Sequence, residues 1–271
     1  MHDLPKPKLF LEATLTFRRS SADILGDIFA AGLGRTLALT RPRGTLALAQ
    51  MNALAVPNPE KALTQLYKTS SRELVRILRG RFPRLDQSSI KDARIEGPTF
   101  YLAYHFGNWE WLGGILSNLH GDFRPATRGI RSPLVHRLIQ SRRRSVGMNS
   151  MIDHQGLRGG RTALDEDAML AFLADQTPPG TSRPGICLEK KLPVSTLPEW
   201  WTKDRSFRWI TGNLCATTKE SYALALYDLP SEQLTHWDQI LDHHTCPLIR
   251  EQPQHYFGWW HHRLMPRNPN N

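Results

Sequence analysis

Apolar positions change their spacing along this chain. Between residues 9 and 40 they recur at helical intervals: Ile24, Leu25, Ile28, Phe29 and Leu33 fall near one face, with Asp23 and Asp27 off it, which predicts one or two amphipathic helices. Arg18, Arg19, Arg35, Arg41 and Arg43 surround that stripe. Such a pattern suits either a helix packed on its own domain or an interfacial helix resting on anionic lipid. A second helical stretch, Glu60 to Leu78, follows Pro59 and carries Ala62, Leu66, Leu74, Ile77 and Leu78. From Gly97 the pattern shortens. Pro98 to Tyr104 reads as a buried strand, and Asn108-Trp109-Glu110 opens a helix through Leu119. Asn108 is a good N-cap, and Glu110 lies in the first turn, where the helix dipole favours a carboxylate. Strands are also predicted at 122–127, 150–153, 168–174, 207–212 and 222–227, with helices at 132–146, 159–165, 197–204 and 232–243. This alternation predicts an α/β fold: a single domain, 44–266, whose mixed central sheet is flanked by helices. A helical, membrane-associating segment, 1–43, precedes it, and 267–271 form a tail.

Composition narrows the classes. No apolar run reaches the roughly 18 residues of a spanning helix; the longest stretch without formal charge, Gly44 to Pro59, carries Gln50, Asn52 and two prolines. The first residues are polar and proline-broken, unlike a signal peptide. Cys187, Cys215 and Cys246 are scattered, as in proteins of a reducing compartment. Lys and Arg number 35 against 25 Asp and Glu, a net charge of +10 that calls for an anionic partner. No helix-turn-helix, zinc-finger or RNA-binding signature is present, so nucleic acid is not the expected partner.

His105-Phe106-Gly107-Asn108-Trp109-Glu110 is a His-x4-Glu at a strand-to-helix turn. Imidazole is the usual general base near neutral pH, and a carboxylate on its other nitrogen would fix the tautomer. Amides at the helix start could stabilise an oxyanion. No serine or cysteine adjoins the histidine, so the expected nucleophile is a substrate hydroxyl. Asp175, after the apolar run Met169 to Ala174, either faces a cleft from its strand end or starts a turn before Pro178 and Pro179.

Between Gly121 and Asp165 the chain holds Arg124, Arg128, Arg131, Arg137, Arg142, Arg143, Arg144, Arg158 and Arg161 against Asp122, Asp153 and Asp165. Guanidinium binds phosphate through a planar fork of donors. The Arg142–Arg144 run reads as a solvated helix face. His243, His244, Cys246, His261 and His262 lack the spacing of helical zinc ligands, and no metal is expected. The aromatic segment from Pro253 to Arg263 suits the wall of a cleft or a belt near lipid.

Together these elements resemble the bacterial lipid A biosynthesis acyltransferase family, within the lysophospholipid acyltransferase superfamily. The similarity runs in order through His105–Glu110, Arg124-Pro125, Gly159-Gly160-Arg161, Leu173-Ala174-Asp175-Gln176 and Tyr256…Trp259-Trp260-His261-His262-Arg263. It implies acyl transfer from an acyl carrier protein or coenzyme A thioester, with no further cofactor, to a hydroxyl of a membrane lipid or glycolipid. The resemblance makes His105 the base and Glu110 its orienting partner. It gives Arg124 an anionic substrate group or the thioester carbonyl, with Asp175 in support, and adds Asn108, Arg161 and Arg263 to the substrate-binding set. Family members usually begin with a membrane-anchoring helix; the short amphipathic stretch here implies peripheral attachment at the cytoplasmic face of the inner membrane. The alternative expectation is a catalytically silent lipid- or nucleic-acid-binding protein of the same fold.

Overall fold

The computed structural model describes residues 6–16, 21–82, 93–130, 132–152, 154–177, 180–230 and 235–261. Arg18, Arg19, Arg131, Asp153, His262 and Arg263 lie outside them. The short apolar runs form β2 (Thr99–Ala103), β3 (Phe123–Thr127), β4 (Met151–Ile152), β5 (Met169–Leu173), β8 (Arg208–Ala216) and β9 (Ser221–Asp228). With β1 (Lys8–Thr16) they build a mixed sheet in the order β1-β9-β8-β2-β5-β3-β4, six strands plus the two-residue β4. The five from β8 to β4 are parallel, and β9 runs antiparallel to both its neighbours, β8 and β1. The α/β class with helices on both faces is therefore as the alternation predicted.

Strand β2 is buried along its whole length because both faces of the sheet are covered. Phe100 and Leu102 face one core with Trp201, Trp209, Trp237 and Leu241. Tyr101 and Ala103 face the other, with Trp111, Leu112, Leu116, Phe123 and Met148. Helices α4 (Trp109–His120) and α5 (Pro133–Ser145) lie near their predicted spans. The same holds for α6 (His154–Asp165) and α7 (Leu197–Thr202), while α8 runs Trp237–Glu251. Helix α2 (Gly44–Ala53) and the hairpin β6 (Ser182–Cys187)–β7 (Lys190–Ser195) were not expected from the sequence.

The N-terminal region departs further from expectation. Residues 8–16 form an edge strand, not a helix. Leu11, Ala13 and Leu15 point into the core at a period of two, and Leu15 pairs with Tyr222 of β9. Helix α1 (Ser21–Thr40) then packs on α3 (Pro59–Leu78) with its polarity inverted. Asp23 and Asp27 face inward, to Arg81 and Arg79 and to Arg76 respectively. Gly34 lets the helices meet closely, because a Cβ there would stand 3.0 Å from the Lys68 backbone. The apolar stripe is consequently outside: Ile24 is 51%, Leu25 70%, Ile28 63% and Phe29 65% exposed. The helix thus packs on its own domain, but through the side that carries Asp23 and Asp27 and not through that stripe. Among the described residues no helix is long and apolar enough to cross a membrane.

Candidate active site

Parallel pairing of β2 with β5 sets Ala103 opposite Leu173, and the Ala174 amide extends the ladder to the Ala103 carbonyl. Two residues beyond each strand end, His105 and Asp175 therefore meet. The imidazole Nδ1 lies 2.6 Å from Asp175 Oδ1, and the His105 amide donates to Oδ2 at 3.1 Å. Asp175 is almost wholly buried, while the His105 side chain keeps 17% of its surface open. Burial pushes the Asp175 carboxyl up, but the charge His105 carries when protonated, with its ring and amide hydrogen bonds, outweighs burial. The net result is a carboxyl held below its ordinary range. Asp175 thus stays ionised and fixes Nδ1 as the protonated nitrogen, which leaves Nε2 basic.

The turn after His105 is pinned from several sides. Gly107 has φ +74°, and a Cβ there would stand 2.6 Å from the Leu214 carbonyl oxygen, so a side chain is excluded by both conformation and space. Its amide donates to the His255 carbonyl, and the Asn108 amide donates to Leu214. The segment beyond α8 closes the other side: Phe257 donates its amide to the His105 carbonyl, and Phe106 bridges Tyr256. Gln50 of α2 holds that segment by donating to the Trp259 and His261 carbonyls, at 2.6 Å each. Trp109 stacks edge-on between His105 and Phe257, at 5.0 and 4.7 Å.

His105 stands in the wall of a cleft of about 610 Å³ at the C-terminal ends of β2, β5 and β3. Open parallel sheets commonly place ligands at this edge. On the α4 side the walls are Tyr101, Gly113, Phe123, Met148 and Ala171; on the α7 side they are Phe172, Leu197 and Trp201. Polar groups also line the cleft: Glu110, Arg143, Arg128, Thr127, Gln176 and Thr181. Gln176 Nε2 also lies 2.9 Å from Nε2 of His261, whose ring centre is 6.3 Å from that of His105.

The predicted site residues separate into two groups. His105, Glu110 and Asp175 converge, but in a different pairing: Asp175 orients the imidazole, and Glu110 takes Arg143. Arg143 donates Nε to Glu110 Oε2 at 2.8 Å and Nη2 to Oε1, both side chains being about one-eighth exposed. Arg143 is therefore no solvated face; nor is Arg142, which donates to the Leu78 carbonyl. Arg124 faces the opposite way. It sits at the start of β3, bound to Asp122 (2.6 Å) and Glu166 (2.6 Å), and does not line the cleft. Arg161 donates to the carbonyls of Lys203 and Trp201 and supports the Trp201 wall from behind. Asn108 is buried: its Oδ1 caps the Trp111 amide and its Nδ2 donates to Glu73. Arg263 lies outside the described residues. Arg143 and Gln176 are site residues whose part the sequence did not reveal. The pairing of His105 with Asp175 has a signal in the sequence: both sit at the same offset after short apolar runs.

The chain matches no protein-family model and no curated protein sequence.

Proposed function

We propose that the protein is an O-acyltransferase that moves a fatty acyl group from a thioester of acyl carrier protein or coenzyme A to a hydroxyl of a membrane lipid. The observation that carries this reading is the His105–Asp175 pair at the mouth of a large, mostly apolar cleft. Its volume falls in the range of ligand sites, and its walls suit a hydrocarbon chain. In the proposed reaction His105 Nε2 takes the proton of the acceptor hydroxyl while its oxygen attacks the thioester carbonyl. The tetrahedral intermediate then collapses, the C–S bond breaks, and the imidazolium returns its proton to the departing thiolate. Asp175 keeps the ring in the productive tautomer and balances the imidazolium charge.

The amides of Gly107, Asn108 and Trp111 are engaged with His255, Leu214 and the Asn108 side chain. Helix geometry leaves the amides of Trp109 and Glu110 for the oxyanion. Arg143, held in place by Glu110, and Arg128 at the rim take the anionic group that Arg124 was expected to hold.

The acceptor reaches the cleft from a lipid surface. The outer stripe of α1 supports this reading, as do Leu134 (72% exposed) and Val135 on α5, with exposed Arg35 following the first in sequence and exposed Arg128 preceding the second. Attachment is peripheral, at the cytoplasmic face of the inner membrane. The test is product analysis with a labelled acyl thioester, with and without lipid acceptor. Labelled acyl lipid that forms only with the wild-type His105 is expected. Free fatty acid alone marks a hydrolase, and binding without turnover marks a silent fold.

A further inference from the structure

Helix α1 and the active-site turn are joined by a continuous run of side-chain hydrogen bonds through the protein interior. Asp27 on the inner face of α1 meets Arg76 of α3 at 3.3 Å. Arg76 donates to the hydroxyl of Tyr222 on β9 at 2.8 Å and to the Lys219 carbonyl. Tyr222 in turn donates to both oxygens of Glu73 on α3, at 2.9 and 3.0 Å. Burial and the neighbouring Glu73 push the Tyr222 phenol up, so the proton needed for that step is retained. Asn108 donates to Glu73 at 2.7 Å, and its carbonyl oxygen caps the Trp111 amide at 3.0 Å.

The relay is buried: Glu73 is 4% and Arg76 5% exposed. Buried ion pairs are a poor source of stability compared with apolar packing of similar volume, so their use here calls for another account. Arg76, Tyr222 and Glu73 each join a neighbour on the α1 side to one on the turn side, and Glu73 also pairs with Arg72 at 3.2 Å. A change in how α1 sits on α3 reaches Asp27 and Arg76 first. It then changes what Tyr222 offers Glu73, and so the orientation of the Asn108 amide that starts the helix bearing Glu110. A coupling of this kind needs an element with two seatings that both sites bias, and α1 is a candidate because its outer apolar face is exposed.

We propose that Glu73 is a positioning residue for the active-site turn and that, through Tyr222, Arg76 and Asp27, it couples this turn to the docking of α1 on anionic lipid. The proposal rests on the reading of α1 as the lipid-facing element and of the His105 turn as the site, and adds regulation to them. By reciprocity, filling the cleft would strengthen docking by the same factor.

Amide hydrogen exchange of the full chain tests it, with vesicles of phosphatidylglycerol or of phosphatidylcholine as probes and no need for turnover. Phosphatidylglycerol vesicles are expected to slow exchange in α1 and, on the order of tenfold, at the Trp111 amide. In Asp27→Asn and Tyr222→Phe, α1 protection should persist while the response at Trp111 disappears. The phenylalanine variant keeps the ring contact with Trp111 (centres 5.0 Å apart) and removes only the hydroxyl. Glu73→Gln, which retains an acceptor for Asn108, should keep the cap better than Glu73→Ala. A purely structural role would shift Trp111 exchange equally with and without vesicles, and that result overturns the coupling. So does α1 protection in the wild type with no change at Trp111. Absence of α1 protection sinks the lipid reading itself, and the coupling with it.

Discussion

Arginine and carboxylate meet at both ends of the parallel strands, with different consequences. At the N-terminal end of β3, Arg124 is enclosed by Asp122 and Glu166 on the α6 side of the sheet. At the C-terminal ends, Arg143 and Glu110 pair within the cleft wall beside His105 and Asp175. The first cluster satisfies itself at the surface, where such pairs contribute little. The second is partly desolvated and faces open volume. The difference lies in the sheet: parallel strands direct their C-terminal turns, and the helix starts that follow, to one edge.

Substitutions at the His105–Asp175 dyad should have the largest effect. His105→Ala is expected to lower acyl transfer by on the order of 10²–10⁴, and Asp175→Asn by a similar factor because the tautomer is no longer fixed. Steady-state rates on variants with wild-type circular dichroism check this. Near-normal turnover in either variant ends the mechanism. At the Arg–Glu pair, Arg143→Ala should cost on the order of 10–100-fold in kcat/KM through misplacement of substrate. Arg124→Ala should stay within about twofold and destabilise by less than about 1 kcal/mol. The reverse ranking would place the chemistry at the N-terminal ends of the strands.

Helices α1 and α3 offer a second contrast: each has 20 residues, but α3 buries Leu63, Leu66, Tyr67 and Val75 while α1 leaves Ile24, Leu25, Ile28 and Phe29 exposed. Replacing Ile28 and Phe29 together by aspartate should weaken binding to anionic vesicles by roughly tenfold or more, since burial of each side chain is worth about 1.5–3 kcal/mol. The melting temperature should hardly change. Vesicle sedimentation and a thermal melt separate the two effects.

Two histidines that do not line the cleft, His244 and His255, make stability depend on pH. Burial pushes His244 down to about 4, with His243 adding to the effect. Burial, and then the Arg72 charge, likewise lower His255 to about 4 against the pull of an Ala216 hydrogen bond. Both pKa values fall on folding, so the unfolded chain binds protons first. Stability is then complete above about pH 6.5 and declines toward pH 4, by as much as roughly 3 kcal/mol per histidine. Urea denaturation at pH 7.5 and pH 4.5 should show the loss, and equal midpoints would contradict it.

What the amino-acid order determined was local. The buried run of β2, the glycine turn, the Asn108 cap and the α4 start lie within some twenty residues, so short-range sterics and capping are enough to specify them. Tertiary structure decided the pairings. His105 and Asp175 are 70 residues apart and meet through strand register. Glu110, five residues from His105, is instead directed to α5, where Arg143 waits. Apolar spacing in α1 was compatible with either an inner or an outer stripe. Arg76, Arg79 and Arg81 settled it by drawing Asp23 and Asp27 inward. Periodicity states that a helix has two faces; which one is buried depends on what the neighbouring elements present to it.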